Sequence, residues 1–243
     1  MNLIIHNVAD ILQRIPAIRA AYLVGSYADG ETGHDVDILL LVSVQNKKEL
    51  IEALERDYYL DVLLVNDDSV SCVIENVPFD FAFLTIDEWR RRLGRFRQKQ
   101  TYAEIRNWCV GYWLPEGFLF DMMKALCLFC KDTVIQEGVQ SIAALYQDYR
   151  LELIQDIKTE VILKSKLRDD LPFYSKIARG DVLAALLRLI NLSNDWRLTS
   201  FKHMDQKVRT TAYDTALRNL EQLPSEEFSD CCKALAEELT AEL

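Results

Sequence analysis

Between Gly25 and Asp37 the chain reads Gly-Ser-Tyr-Ala-Asp-Gly-Glu-Thr-Gly-His-Asp-Val-Asp, a spacing of polar groups that suits chemistry on phosphates. Asp35 and Asp37 are two residues apart, so in an extended strand both carboxylates leave the same face. Two carboxylates held side by side repel unless a cation lies between them. Oxygen-only ligands favour Mg²⁺, which keeps some of its waters and takes substrate phosphate as further ligands. Gly25 lets the backbone approach a phosphate closely, and the Ser26 hydroxyl and the amides after it are donors for its oxygens. Gly30 and Gly33 permit the tight return that separates Ser26 from Asp35 by eight residues.

Such a segment needs a strand on each side of it. AAYLVG at 20–25 is a compact apolar strand closed by glycine, and VDILLLV at 36–42 is aliphatic on both alternating faces, as a strand covered on both sides requires. A helix over 1–14 precedes them and another, over 46–57, follows with Leu50, Ile51 and Leu54 on one face. Strands are then expected at 59–65, 70–75 and 79–85, completing a set of five, with the last two joined through Asn76, Val77 and Pro78. Thr85 and Glu88 form a T-x-x-E capping box for a helix through DEWRRRL. From about residue 101 the spacing turns helical, with helices expected over 102–114, 118–131, 133–149, 150–168, 173–179, 181–200, 206–221 and 225–241; Gly180 reads as a stop and Asp181 as a new N-cap. The fold class is therefore α+β: a mixed β-sheet domain over 1–100, then an all-α helical bundle over 101–243.

A strand ending in Gly-Ser, a short loop, and Asp-x-Asp opening the next strand resembles the nucleotidyltransferase superfamily of DNA polymerase beta type. Within it the domain order is similar to the aminoglycoside and lincosamide nucleotidyltransferases of antibiotic resistance. The resemblance implies transfer of a nucleoside monophosphate from a Mg²⁺-bound NTP, taken as ATP, to a hydroxyl of a small molecule, with pyrophosphate released and one or two Mg²⁺ ions held by Asp35 and Asp37. It departs from the family at His34, where a small residue is usual. It also implies a third acid on a later strand, as metal ligand or as base for the attacking hydroxyl. Asp80 fits this part, because alternation in PFDFAFLT sends Phe79, Phe81 and Phe83 to one face and Asp80, Ala82 and Leu84 to the other; Asp61 in YLDVLLV is its competitor. Lys176 and Arg179, in a short stretch similar to a helix junction of those bundles, are candidates to reach the triphosphate. Either a monomer or a homodimer fits this resemblance.

Arg90, Arg91, Arg92, Arg95, Arg97 and Lys99 form a dense basic cluster that is either a solvated helix face or a contact for polyanions. Tyr102, Trp108, Tyr112 and Trp113 read as core aromatics or as a stacking platform. Cys127 and Cys130 make a C-x-x-C inside the helix-like run DMMKALCLFCKD, with no second pair or nearby His to complete a zinc site, and so read as packing.

The 243 residues are half hydrophobic, with 8 Gly and 5 Pro, which excludes disordered and collagen-like classes. The net charge of −10 is spread evenly, with 11 basic and 16 acidic residues up to position 100 and 17 and 22 after it. It argues against a general grip on nucleic acid, which needs neutralised phosphates, and suits a cationic small substrate. No apolar run is long enough for a membrane helix, and with no signal-like start the expected location is cytoplasmic. A nucleotidyltransferase acting on a protein or an RNA end, or an idle nucleotide-binding sensor, are the alternative functions.

Overall fold

The strands on either side of the Gly-Ser segment pair with each other in the computed structural model, which describes residues 3–28, 30, 35–98, 115–167, 170–196 and 201–241. β1 (Ile18–Val24) runs antiparallel to β2 (Val36–Val42), and β2 runs parallel to β5 (Val77–Thr85). β3 (Leu60–Val65), β4 (Ser69–Ile74) and β5 form an antiparallel meander, and β6 (Leu126–Cys130) closes on β1, giving the order β3-β4-β5-β2-β1-β6. The chain divides into two compact units, Met1–Gln100 with Asp121–Ala143, and Thr101–Phe120 with Ala144–Leu243.

Alternation sorts the sheet's side chains onto two faces. Leu23, Ile38, Leu40, Val42, Phe79, Phe81 and Phe83 pack with Val8 and Leu12 of α1 (Leu3–Arg14) and Leu50 and Leu54 of α3 (Lys47–Glu55) in one core. Each such side chain withdrawn from water contributes about 1.5–3 kcal/mol. Asp37, Leu39 and Leu41 of β2 and their register partners Asp80, Ala82 and Leu84 of β5 line the other face. There α4 (Ile86–Arg97) packs on β5 and β2 and buries Trp89, Leu93 and Phe96. Thr85 caps α4 by accepting from the Glu88 amide at 3.2 Å. Glu88 makes bonds of its own with Arg91, at 2.7 and 2.8 Å, and with Arg92 at 3.0 Å. α6 (Thr133–Gln140) meets α4 at Gly138, where a Cβ would lie 3.3 Å from Leu93 Cδ1 and 3.4 Å from Trp89 Nε1.

Several local expectations give way to tertiary pairing. The run 118–131 is not one helix: α5 (Pro115–Lys124) ends before Leu126, and LCLFC becomes β6. Leu, Met, Ala and Lys favour a helix locally, but the open edge of β1 offers a full ladder of backbone partners, and that pairing prevails. Among the described residues the sheet therefore has six strands, not five. The β4–β5 hairpin turns at Glu75 and Asn76, both at positive φ (49° and 67°), so that Val77 and Pro78 already belong to β5; a two-residue turn with positive φ at both positions matches the twist of the flanking strands.

In the second unit α7 (Ile142–Lys164), α8 (Pro172–Ser193), α9 (Phe201–Val208), α10 (Ala212–Gln222) and α11 (Ser225–Glu238) form the helical part. α8 packs against α9, α10 and α11. The run 206–221 is split between α9 and α10, where Thr211 caps the second helix by accepting from the Tyr213 amide. α8 passes through Gly180 and Asp181 unbroken, because Ala178, Val182, Ala185, Leu186, Leu189 and Ile190 keep one buried stripe across them. Gly180 is exposed there, and a Cβ would have no heavy atom within 4 Å. Gly180→Ala is expected to stabilise this unit by about 0.5–1 kcal/mol by restricting the unfolded chain, read as a raised urea midpoint with an unchanged slope. Among the described residues no helix is long and apolar enough to cross a membrane.

Candidate active site

Asp37 and Asp80 stand opposite each other on neighbouring parallel strands, so their side chains emerge together on the face away from the aromatic core. Asp35 lies just before β2, two residues from Asp37. One carboxylate oxygen from each of the three can be chosen so that all lie within 4.8 Å of one another, and all three residues are half-buried. Among the described residues no other group of three or more His, Cys, Asp or Glu side chains is gathered in this way. The donor set is all carboxylate oxygen, and three like charges so close disfavour one another unless a cation intervenes. A hard divalent ion such as Mg²⁺, with waters completing its shell, fits these residues.

The glycine that ends the first strand is part of the same construction. Gly25 has φ of 70°, and a Cβ built on it would lie 2.2 Å from Asp37 Oδ2 and 3.0 Å from its Cγ. Only glycine combines that conformation with that approach. The chain then enters the short helix α2 (Gly25–Ala28), which holds Ser26 and packs on β1 and β2.

Register extends the site into a row across the sheet. Val24 of β1 faces Asp37, Asp37 faces Asp80, Asp80 faces Ser71 of β4, and Ser71 faces Leu64 of β3. Directly bonded partners share a face, so the row reads Val24, Asp37, Asp80, Ser71, Leu64. Asp61 occupies the next row, opposite Val73, on exposed β3 and two strands from Asp80; with strands about 4.8 Å apart it stands roughly 10 Å or more from the triad. Cys72, on the opposite face beside Ser71, has its thiol pushed up to about 12, by burial first and then by the Asp80 carboxylate.

Lys176 is exposed on α8, in the second unit. Arg179, also on α8, donates to the carbonyls of Leu220 and Glu221 at 3.0 and 3.3 Å and stacks over the Phe228 ring at 4.2 Å, tying α8 to α10 and α11. Of the basic cluster, Arg90, Arg91 and Arg92 sit in ion pairs with Asp87 and Glu88 along α4. Burial works to raise the Glu88 carboxyl, but the hydrogen bonds from Arg91 and Arg92 outweigh it and hold it below its usual range. Cys127 and Cys130 both contact the Tyr22 hydroxyl from β6, and burial first, then these thiols, raise the Tyr22 phenol. Gly33, His34, Lys99, Tyr102, Trp108, Tyr112 and Trp113 lie outside the described residues. Sequence reasoning missed Ser71, whose place beside Asp80 depends on strand register alone.

Residues 5–102, the stretch that carries the three acids, match the family model of the nucleotidyltransferase domain. Among solved structures the chain is similar to a nucleotidyltransferase-like protein from Exiguobacterium sibiricum, at 10% identity and a TM-score of 0.41 over 96% of this chain and 72% of that one. It is also similar to a CCA-adding enzyme in complex with CTP, at 10% identity and a TM-score of 0.34 over 91% of this chain and 54% of that one. A search of curated proteins gives no significant match.

Proposed function

We propose that the chain transfers a nucleoside monophosphate from a Mg²⁺-bound nucleoside triphosphate to a hydroxyl of a small molecule of aminoglycoside or lincosamide type, releasing pyrophosphate. The observation that carries this reading is the gathering of Asp35, Asp37 and Asp80 within 4.8 Å, on a domain of nucleotidyltransferase type. Asp35 and Asp37 would hold Mg²⁺, which would supply neutralisation of the charge on the triphosphate and on the reacting oxygens. Gly25 and Ser26, past the end of β1, lie on one side of Asp37, where backbone and hydroxyl donors meet the departing phosphates. Asp80 stands on the other side, in the direction of β4. There its carboxylate accepts the proton of the acceptor hydroxyl as that oxygen bonds to the α-phosphorus. The bond from the α-phosphorus to the bridging oxygen breaks, and pyrophosphate leaves with the electron pair. The net charge of −10 favours a neutral or cationic acceptor over a polyanionic one.

The test is pyrophosphate release from ATP, GTP, CTP and UTP with Mg²⁺, against aminoglycosides, lincosamides and simple polyols, with Asp35→Asn as control. Release that requires one acceptor and vanishes in the variant is the expected result. Release undiminished in Asp35→Asn would overturn the assignment.

A further inference from the structure

The row through the acids does not stop at Asp80. On the β4 side it continues to Ser71, half-buried, and to Leu64, 52% exposed on the edge strand. The row beside it holds Pro78 of β5, Val73 of β4 and Asp61 of β3, joined by the pairs Val73–Pro78 and Asp61–Val73. Pro78 and Asp61 are exposed and Val73 is half-buried. Beyond the part that α4 covers, this face is thus half-buried at β4 and exposed at β3, and it is continuous with the three acids. Its apolar surface carries a hydroxyl next to the proposed base and a carboxylate at the far rim.

We infer that this extension of the sheet over β4 and β3 is the acceptor subsite, that Ser71 and Asp61 determine its specificity, and that its occupant is a hydroxylated small molecule bearing a protonated amine. The inference rests on the nucleotidyl-transfer reading and adds the acceptor's seat to it. The direction follows from strand order: Gly25 and Ser26 lie beyond β1, so the phosphates occupy that side, and an attacking hydroxyl served by Asp80 comes from the opposite side. The charge follows from Asp61, an anion at the rim of an otherwise uncharged floor. Two strand spacings across and two residues along place Asp61 about 11–12 Å from Asp80. A molecule of two or three rings spans that length, with its amine at Asp61, its reacting hydroxyl at Asp80 and an apolar ring face over Val73 and Leu64.

The test uses kanamycin as the amine-bearing probe, at saturating nucleotide, with Asp61→Asn, Asp61→Glu and Ser71→Leu variants of the full chain. Asp61→Asn is expected to raise the KM for kanamycin about tenfold with kcat within about twofold, and to make KM rise less steeply with salt than in the wild type. Asp61→Glu should restore most of the affinity. Ser71→Leu should raise KM by a similar factor. Mg²⁺-nucleotide affinity by calorimetry should stay within about twofold in all three variants. An unchanged KM for kanamycin in Asp61→Asn and Ser71→Leu, with Asp35→Asn inactive, would place the acceptor elsewhere and leave nucleotidyl transfer standing. Nucleotide bound with Mg²⁺ but kanamycin neither bound nor modified would overturn the cationic acceptor. Loss of Mg²⁺-dependent nucleotide binding in the wild type itself would overturn the underlying reading instead.

Discussion

Asp37→Asn will lower nucleotidyl transfer by at least about 10³ while leaving the apo protein as stable as the wild type or more so. The two effects have one cause. Asp37 has Asp80 opposite it on β5 and Asp35 two residues before it, so it feels both other charges. Two unit charges about 4 Å apart near a protein surface interact by up to about 4 kcal/mol, and here the interaction is repulsive. Removing one charge relieves part of that, an expected gain of roughly 1–2 kcal/mol in the presence of a chelator. The sign reverses when the ion is supplied. An ion that binds only the folded wild type stabilises it by about 2.7 kcal/mol at a hundredfold excess over its Kd, and the variant, lacking a ligand, forgoes most of that gain. Thermal unfolding of both proteins with EDTA and with Mg²⁺ therefore gives two curves that cross. A variant less stable than the wild type in EDTA would mean that Asp37 serves the fold and not the ion.

Much of this arrangement is legible in the sequence, and the division between what is legible and what is not has a physical basis. β2 is expected at 36–42 and found at Val36–Val42, because a strand covered on both faces must be aliphatic at every position and the acids mark its start. Asp80 is singled out because alternation puts it on the face opposite three phenylalanines, and a carboxylate inside a strand is unfavourable unless something requires it. Its pairing with Asp37 is not legible: β2 and β5 are separated by a helix and two strands, and their parallel register is a property of the assembled sheet. Ser71 and Leu64 are hidden for the same reason, and Leu64 more deeply, since a register shift between Val62 and Leu64 brings it opposite Ser71. β6 is read as helix because it continues the helix-favouring run DMMKAL and its partner strand lies about a hundred residues earlier. The Gly180-Asp181 signal misleads in the opposite direction. It is a sound local stop overridden by a buried stripe that continues past it, at a cost of about 1 kcal/mol for the glycine.

The same substitution that helps at Gly180 should be destructive at Gly25. Gly25→Ala is expected to cost about 1–3 kcal/mol of stability and to reduce turnover about a hundredfold or more. Two terms contribute. At φ of 70° an alanine carries roughly 1–2 kcal/mol of left-handed strain that glycine does not. The new Cβ would also lie 2.2 Å from Asp37 Oδ2, a separation that no pair of such atoms sustains, so either the β1–α2 turn or the carboxylate must move. Val24 is held by β1's register with Asp37, and β1 is paired on both sides, so the backbone has little room to yield. The Asp37 side chain is the softer element and will rotate away from Asp35 and Asp80. That displacement harms the ion site more than the fold, since a shift near 1 Å in a reacting constellation is worth about 10² in rate. The measurement is the Mg²⁺ concentration for half-maximal activity together with Tm. A sharply raised Mg²⁺ requirement with a drop of only a few degrees in Tm matches a displaced carboxylate. A normal Mg²⁺ requirement with the same drop would show that the turn moved and left Asp37 in place, and that the glycine serves backbone conformation alone.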